Sequence, residues 1–304
     1  MVARLAAHLP HPGAPLAPAP GRSVGQVSDE RLDLGVELAE LVAVEVERVE
    51  QLGELHPEIQ LFIAELADTA ARRWNERGSG LWEMRGEPRH HVSSKVLCWV
   101  ALDRAIALAP ELGAGHRVED WAAAREEIRA AILEHGWSQR AGAFTQAFGS
   151  EDLDASNLML AITGFLPGDD PRMKATIDAT AARLTDERGL VYRYLAHDGL
   201  TGEEGTFLLC TFWLAQAQAL AGELDQATAT FERAVAAIND VGLLAEEVDV
   251  GSGEMIGNFP QAFSHIGLVN AAWAITQAQE RAARRVPVAV PMRRHGRGAD
   301  DGPE

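Results

Sequence analysis

Cysteine is nearly absent. Cys98 and Cys210 are the only two in 304 residues. Both lie in apolar runs of helical spacing, so they build neither a disulfide framework nor a metal-ligand cluster. Buried free thiols are the expectation, which suits a reducing cytoplasm. Basic side chains are scarce too. Lys and Arg number 27 against 45 Asp and Glu, a net charge of −18. A chain this acidic repels nucleic acid, whose affinity rests on neutralised phosphates, and no compact Lys/Arg block offsets that. No run approaches the ~18 apolar residues of a membrane span. The short apolar run at the N-terminus is cut by His8, Pro10, His11 and Pro12, unlike a signal peptide. Aromatics reach only 6%, too few for the aromatic-lined cavity of a terpene cyclase. No ligand-spaced His/Cys/Asp set argues for a bound metal. An epimerase-like site would lean on histidines, but His90, His91 and His265 suit helix caps or core. No cofactor is expected. The expected partner is a neutral or cationic small molecule or another protein, with no nucleic acid and no membrane.

What is present is helical patterning. With 47% hydrophobic residues the chain can bury a sizeable core. Residues 1–27 and the tail 285–304 are rich in Pro, Ala and Gly or charge and lack periodicity, so both are expected to be disordered. Between them, 28–284, lies one helical domain. A helix over about 30–52 carries Leu34, Leu38, Leu41 and Val42 on one face; one over about 57–77 carries Ile59, Phe62, Ile63 and Leu66. Val92, Val96 and Val100 place a third after residue 91, and a fourth over 117–135 ends at Gly136. Short helices start near Asp154 and at Asp170-Pro171, where Asp caps and Pro suits the first position. Residues 205–221 are apolar nearly all round and predict a buried helix. The helix over 223–239 is amphipathic through Leu224, Phe231, Val235 and Ile238, and 260–282 is again mostly apolar. A buried helix beside an amphipathic one predicts two concentric helical layers, all-α. GLVYRYL (189–195) alone reads as a strand or an extended loop.

Three loops between these helices carry unusual chemistry. SGLWEMRGEPRHHVSSK (79–95) sets Glu83 and Glu87 among arginines beside Trp82. Burial against an indole favours a protonated carboxyl, as a general acid needs, while Arg85 and Arg89 push the other way. A salt-bridged helix start explains the same residues. DERGLVYRYLAHDGLTGEEGTFLLC (186–210) mixes Tyr192, Arg193 and Tyr194 with Asp198, Glu203 and Glu204. Rings cover the apolar faces of a sugar and charged groups bind its hydroxyls; an ordinary turn-rich loop is the plainer reading. NDVGLLAEEVDVGSGEMIGNFPQAFSH (239–265) holds Glu246, Glu247, Asp249 and Glu254, in a sugar site or a solvated acidic loop. Three acidic loops that follow alternate helices emerge at one end of a two-layer barrel. Two opposed carboxylates there could break a glycosidic bond.

LWEMRGEPRHHVSSKVLCWVALDRAIALA, GWSQRAGAFTQAFGSEDLDASNLML, GFLPGDDPRM, GLVYRYLAHDGLTGEEGTFLLCTFWLAQAQALAG and LLAEEVDVGSGEMIGNFPQAFSHIGLVNAA occur in that order. This ordered set resembles the bacterial branch of glycoside hydrolase family 15, the glucoamylases and trehalases. The resemblance implies an (α/α)6-barrel of six helical hairpins and an inverting, exo-acting hydrolase of trehalose or α-glucooligosaccharides. It maps the general acid of the W-E motif onto Glu83 and the general base of the A-E-E motif onto Glu246. Inversion calls for carboxyls roughly 6.5–9.5 Å apart. By similarity Trp82, Arg193 and Glu204 line the glucose subsite with Phe207 nearby, and Arg85 and Lys95 are further candidates. The chain carries about nine of the family's twelve barrel helices. The shortfall is on the N-terminal side, together with an Arg-Asp motif that binds the terminal glucose. A missing N-terminal segment or an oligomer partner would complete such a barrel. The alternative is a truncated or split barrel that binds a sugar or a partner without turnover.

Overall fold

A computed structural model describes residues 55–196 and 204–285. The expected helix over 30–52 and both terminal segments lie outside the described residues. Eight α-helices are described: α1 Pro57–Arg73, α2 Val92–Ala107, α3 Val118–His135, α4 Met159–Ile162, α5 Pro171–Arg183, α6 Leu208–Leu220, α7 Leu224–Val235 and α8 Ala262–Arg285. A 3₁₀ turn, Ala155–Leu158, runs directly into α4.

Local rules set most boundaries. Pro57 and Pro171 sit in the first turns of α1 and α5, where a missing N–H is harmless. The Asp170 carboxylate accepts the Arg172 amide at 2.9 Å, and the Asp154 carboxylate accepts that of Ser156 at 2.8 Å, as N-caps. α1 stops at Arg73, short of the expected residue 77. The Lys95 ammonium takes the Trp74 and Glu76 carbonyls at 2.5 Å each, so the chain is held away from a further turn.

α6 behaves as its all-round apolarity predicts: every residue but Gln216 and Leu220 is buried. It packs on α7 and α8 on one side and against the 3₁₀ turn, α4 and α5 on the other. α1, α2 and α3 pack on one another. α7 buries Ala227, Thr230, Phe231 and Ala234 and exposes its charged face.

Two helices depart from expectation. α1 does not bury the face of Ile59 and Phe62; these stand 48% and 37% exposed, and Ala64 and Ala67 are the buried positions. α8 likewise turns its small residues inward. Ser264, Gly267, Ala271 and Ala274 are buried while Phe263, Ile266, Val269 and Trp273 are exposed. Close approach is the reason: a Cβ on Gly267 would lie 2.9 Å from Leu209 Cδ1 and 3.1 Å from Phe212 Cβ. At Gly267 no side chain fits between α8 and α6, whereas further along Ile275 is buried in the cluster that the two helices share.

GLVYRYL is an extended loop with two isolated bridges, Thr185 to Val191 and Asp154 to Tyr194. The strands are two-residue pieces inside loops. β1 (Trp137–Ser138) pairs with β2 (Ala143–Phe144), and β3 (Thr206–Phe207), β4 (Glu247–Val248) and β5 (Met255–Ile256) form an antiparallel sheet in that order. Cys98 and Cys210 are free, Cys210 fully buried. Among the described residues no helix is long and apolar enough to cross a membrane.

Packing at Gly168 is tighter still. A Cβ there would lie 2.5 Å from the Leu220 carbonyl carbon and 2.7 Å from the Ala221 nitrogen, both backbone atoms of the α6 terminus. Gly168→Ala is expected to destabilise by about 1–3 kcal/mol. Gly115→Ala, with nothing within 4 Å of the added carbon, should stay within about 0.5 kcal/mol. Urea midpoints of the two variants check this, and equal midpoints would refute the packing assignment.

Candidate active site

Each chemical loop is shaped by its backbone. The first is closed by a bridge between Gly78 and Arg89, with both N–H···O bonds at 2.9 Å. Inside it the Met84 amide donates to the Ser79 carbonyl at 2.9 Å. Gly80 has φ +79°, and a Cβ there would collide with the His91 ring at 2.8 Å. Glu83 is exposed and takes a left-handed φ of +49°, the one non-glycine residue to do so among those described. That conformation costs an ordinary side chain about 1–2 kcal/mol and concentrates at functional sites.

The second and third loops meet through β3 and β4. Phe207 pairs with Glu247, and the Leu208 amide donates to the Glu246 carbonyl at 3.0 Å. Trp82 of the first loop packs on Phe207 edge-on, with centroids 5.6 Å apart, and lies 6.0 Å from Trp213. The Arg193 guanidinium stands 5.2 Å from the Phe207 centroid and 6.0 Å from that of Trp82. It pairs with Glu204 at 2.7 Å and Glu247 at 3.3 Å. Four residues expected to line one subsite, Trp82, Arg193, Glu204 and Phe207, are thus in one cluster. Two loops carry these four, and Glu247, paired with Arg193, brings in the third.

Adjacent acids in the third loop have separate fates. Successive strand residues point to opposite faces. The half-buried Glu247 turns toward Arg193; burial raises its carboxyl pKa and the guanidinium pulls it back down. Among the described residues the Glu246 carboxylate has no ion pair. It accepts the Asn258 backbone and side-chain amides at 3.0 Å each and the Gln261 amide at 3.4 Å. Gly257, with φ +75°, leaves it room, since a Cβ there would come within 2.8 Å of Oε2.

A model of the glycosyl hydrolases family 15 matches residues 38–273. The chain belongs to this family. It is 48% identical over 218 residues to the trehalase of Mycobacterium tuberculosis, covering 71% of this chain and 32% of that one. It is 45% identical over 231 residues to the trehalase of Mycolicibacterium smegmatis, covering 74% and 34%. The family 15 chain therefore spans about a third of the length of these curated relatives. Among solved structures, a bacterial glucoamylase complexed with acarbose superposes with a TM-score of 0.64 at 16% identity, over 81% of this chain and 41% of that one. A glucoamylase from Saccharomycopsis fibuligera gives 0.55 at 12%, over 70% and 60%. At such identities the likeness carries the fold, the (α/α)6-barrel type of family 15, part of which is described.

Two expected substrate contacts stand apart from the cluster. Lys95 is corrected: it is 2% exposed and its ammonium donates to the Trp74 and Glu76 carbonyls, so it fastens the end of α1 and is not presented to a ligand. Arg85 is exposed in the first loop and makes no hydrogen bond or ion pair among the described residues. Sequence reasoning missed Asn258 and Gln261, which nothing but proximity to Glu246 marks. It also saw Asp154 only as the place where a short helix begins. In this family 15 chain the Asp154 Oδ1 also accepts the Trp82 indole N–H at 2.9 Å. His265, expected as a cap or core residue, is tied to the backbone on both sides of its ring. The His265 Nδ1 lies 2.7 Å from the Gln261 carbonyl oxygen, and its Nε2 accepts the Leu244 amide at 3.3 Å.

His91, 4% exposed under Gly80, has its pKa pushed down to about 4 by burial, with Arg89 and Lys95 adding to the effect. The unfolded chain takes up this proton near pH 6.5 and the folded one only near 4. Stability from the neutral ring is therefore complete above pH 6.5 and is lost as pH falls through about 4. Between pH 6.5 and 5 the loss is expected to be on the order of 2 kcal/mol. Chemical denaturation at both pH values measures it, and His91→Gln should flatten the difference. An unchanged slope in that variant would show that another group titrates.

Proposed function

We propose that this chain carries the acid–base site of an inverting, exo-acting α-glucoside hydrolase, with trehalose as the first substrate to test. The observation that supports it most is the convergence of Trp82, Phe207, Arg193 and Glu204 between Glu83 on one loop and Glu246 on another. The rings offer apolar faces to a pyranose, and the Arg193–Glu204–Glu247 network offers charged partners to its hydroxyls. Glu83 donates its proton to the glycosidic oxygen as that oxygen leaves C1. Glu246, oriented by Asn258 and Gln261, takes a proton from a water molecule whose oxygen attacks C1 from the opposite face. The C1–O bond breaks, a new C1–O bond forms and the configuration inverts. The names of the mycobacterial relatives favour trehalose over maltooligosaccharides or isomaltose. Unpaired Cys98 and Cys210 suit a cytoplasmic protein. A second reading, a barrel that binds sugar or partner without turnover, is favoured by the exposed apolar stripe of α8.

Glucose release from trehalose, maltose and isomaltose separates the readings; a folded chain inactive on all three leaves the second. Glu83→Gln and Glu246→Gln are each expected to lower kcat by about 10²–10⁴-fold without loss of folding. If Glu246→Gln retains the wild-type rate, the base is Glu247. Inversion predicts that proton NMR at early times shows α- and β-glucose in equal amounts from trehalose, whereas α-glucose alone would mean retention.

A further inference from the structure

Asp154 has no part in the scheme above, yet it is buried, 3% exposed, and unlike the equally enclosed Asp186 carboxylate, which pairs with Arg188, it has no ion pair among the described residues. Its Oδ1 accepts the Trp82 indole N–H at 2.9 Å and the Ser156 amide at 2.8 Å, and its Oδ2 accepts the Gln146 side-chain amide at 3.2 Å. No cation is among these partners. Burial pushes its pKa up, and the donors only pull it back. A helix cap does not require this burial, because Asp170 caps α5 while only partly buried.

Three segments meet on this side chain. Its backbone bridges Tyr194, and the Ala155 amide donates to the Arg193 carbonyl at 2.9 Å. Gln146 accepts the Val92 amide through its own carbonyl at 3.0 Å, where the first loop enters α2. Trp82 lies within that loop, directly before Glu83. The rings of Phe207 and Trp213 confine the indole, but apolar contact is non-directional. A hydrogen bond is directional, and the bond to Asp154 is the one that fixes the indole's rotation. The left-handed backbone of Glu83 persists only if its neighbours hold it.

We propose that Asp154 is a positioning residue for Glu83: by fixing the Trp82 indole it holds the loop that presents the Glu83 carboxyl. This rests on Glu83 being the general acid. An asparagine at this position keeps the Oδ1 acceptor. Its amide would meet the Gln146 side chain, which can turn over and offer Oε1, a buried oxygen without a partner. Alanine keeps neither bond.

The test is steady-state kinetics on whichever of the three disaccharides the wild type cleaves best, with circular dichroism as a folding control. Asp154→Ala is expected to lower kcat about 10- to 100-fold and to change KM much less. Asp154→Asn should stay within about threefold of wild type, and Trp82→Phe, which keeps the ring but not the N–H, should also lose kcat. If the two residues act as one unit, the double variant Asp154→Ala with Trp82→Phe is no slower than the slower single variant. A wild-type kcat in folded Asp154→Ala, or multiplicative losses in the double variant, overturns the proposal. Should Asp154→Ala not fold, Trp82→Phe decides, and a wild-type kcat there also overturns it. A wild type inactive on all three sugars instead fails the activity reading and takes this inference with it.

Discussion

Everything described hangs on the burial of α6. A helix apolar on all sides can be stable only if other elements surround it, and here both hydrophobic clusters among the described residues draw on it. Leu209, Cys210, Trp213 and Leu214 belong to the cluster that reaches α2 and α3, while Leu208, Phe212, Ala215 and Ala219 belong to the one shared with α7 and α8. The wall between two cores is thus a single helix. The residue just before it is Phe207, and three residues earlier stands Glu204. Rigidity in α6 is passed to the cluster at its N-terminal end, which is where a binding site gains from it.

Charge in the cluster is arranged economically. Arg193 holds two carboxylates, Glu204 and Glu247, so the one cation there is shared. Glu246 is left to neutral amides, which orient a carboxylate without adding a charge to it. Glu246 is the extended residue just before β4 and Glu247 is the first in it, and successive residues of extended chain face opposite sides.

Helix positions were legible in sequence because apolar spacing and capping residues are local properties. The 3.6-residue period, Asp170-Pro171 and the continuous apolarity of 205–221 each report on their own segment. The mix of acids, arginines and aromatics marked the three loops, and the motif resemblance grouped Trp82, Arg193, Glu204 and Phe207, which the fold brings together. What escaped depends on distance in space. Lys95 looked like a charged residue near a site; only the fold shows its ammonium closing the end of α1. The inward face of α8 was hidden because hydrophobicity ranks Phe and Trp above Ala and Gly, whereas a close helix contact selects the small residues. Asp154 marked a helix start in sequence; the structure adds its cap on Ser156 and a bond to Trp82, 72 residues away, which no local pattern reports.

The left-handed backbone at Glu83 has an evolutionary side. Glycine and asparagine occupy that region of conformational space at least cost, so selection for stability alone would remove the glutamate. On the proposed role of Glu83 as general acid, a glycine or asparagine at this position makes a sturdier but idle protein. On that proposal, homologues that have shed turnover drift toward those two residues first, and a glutamate retained there records selection on chemistry.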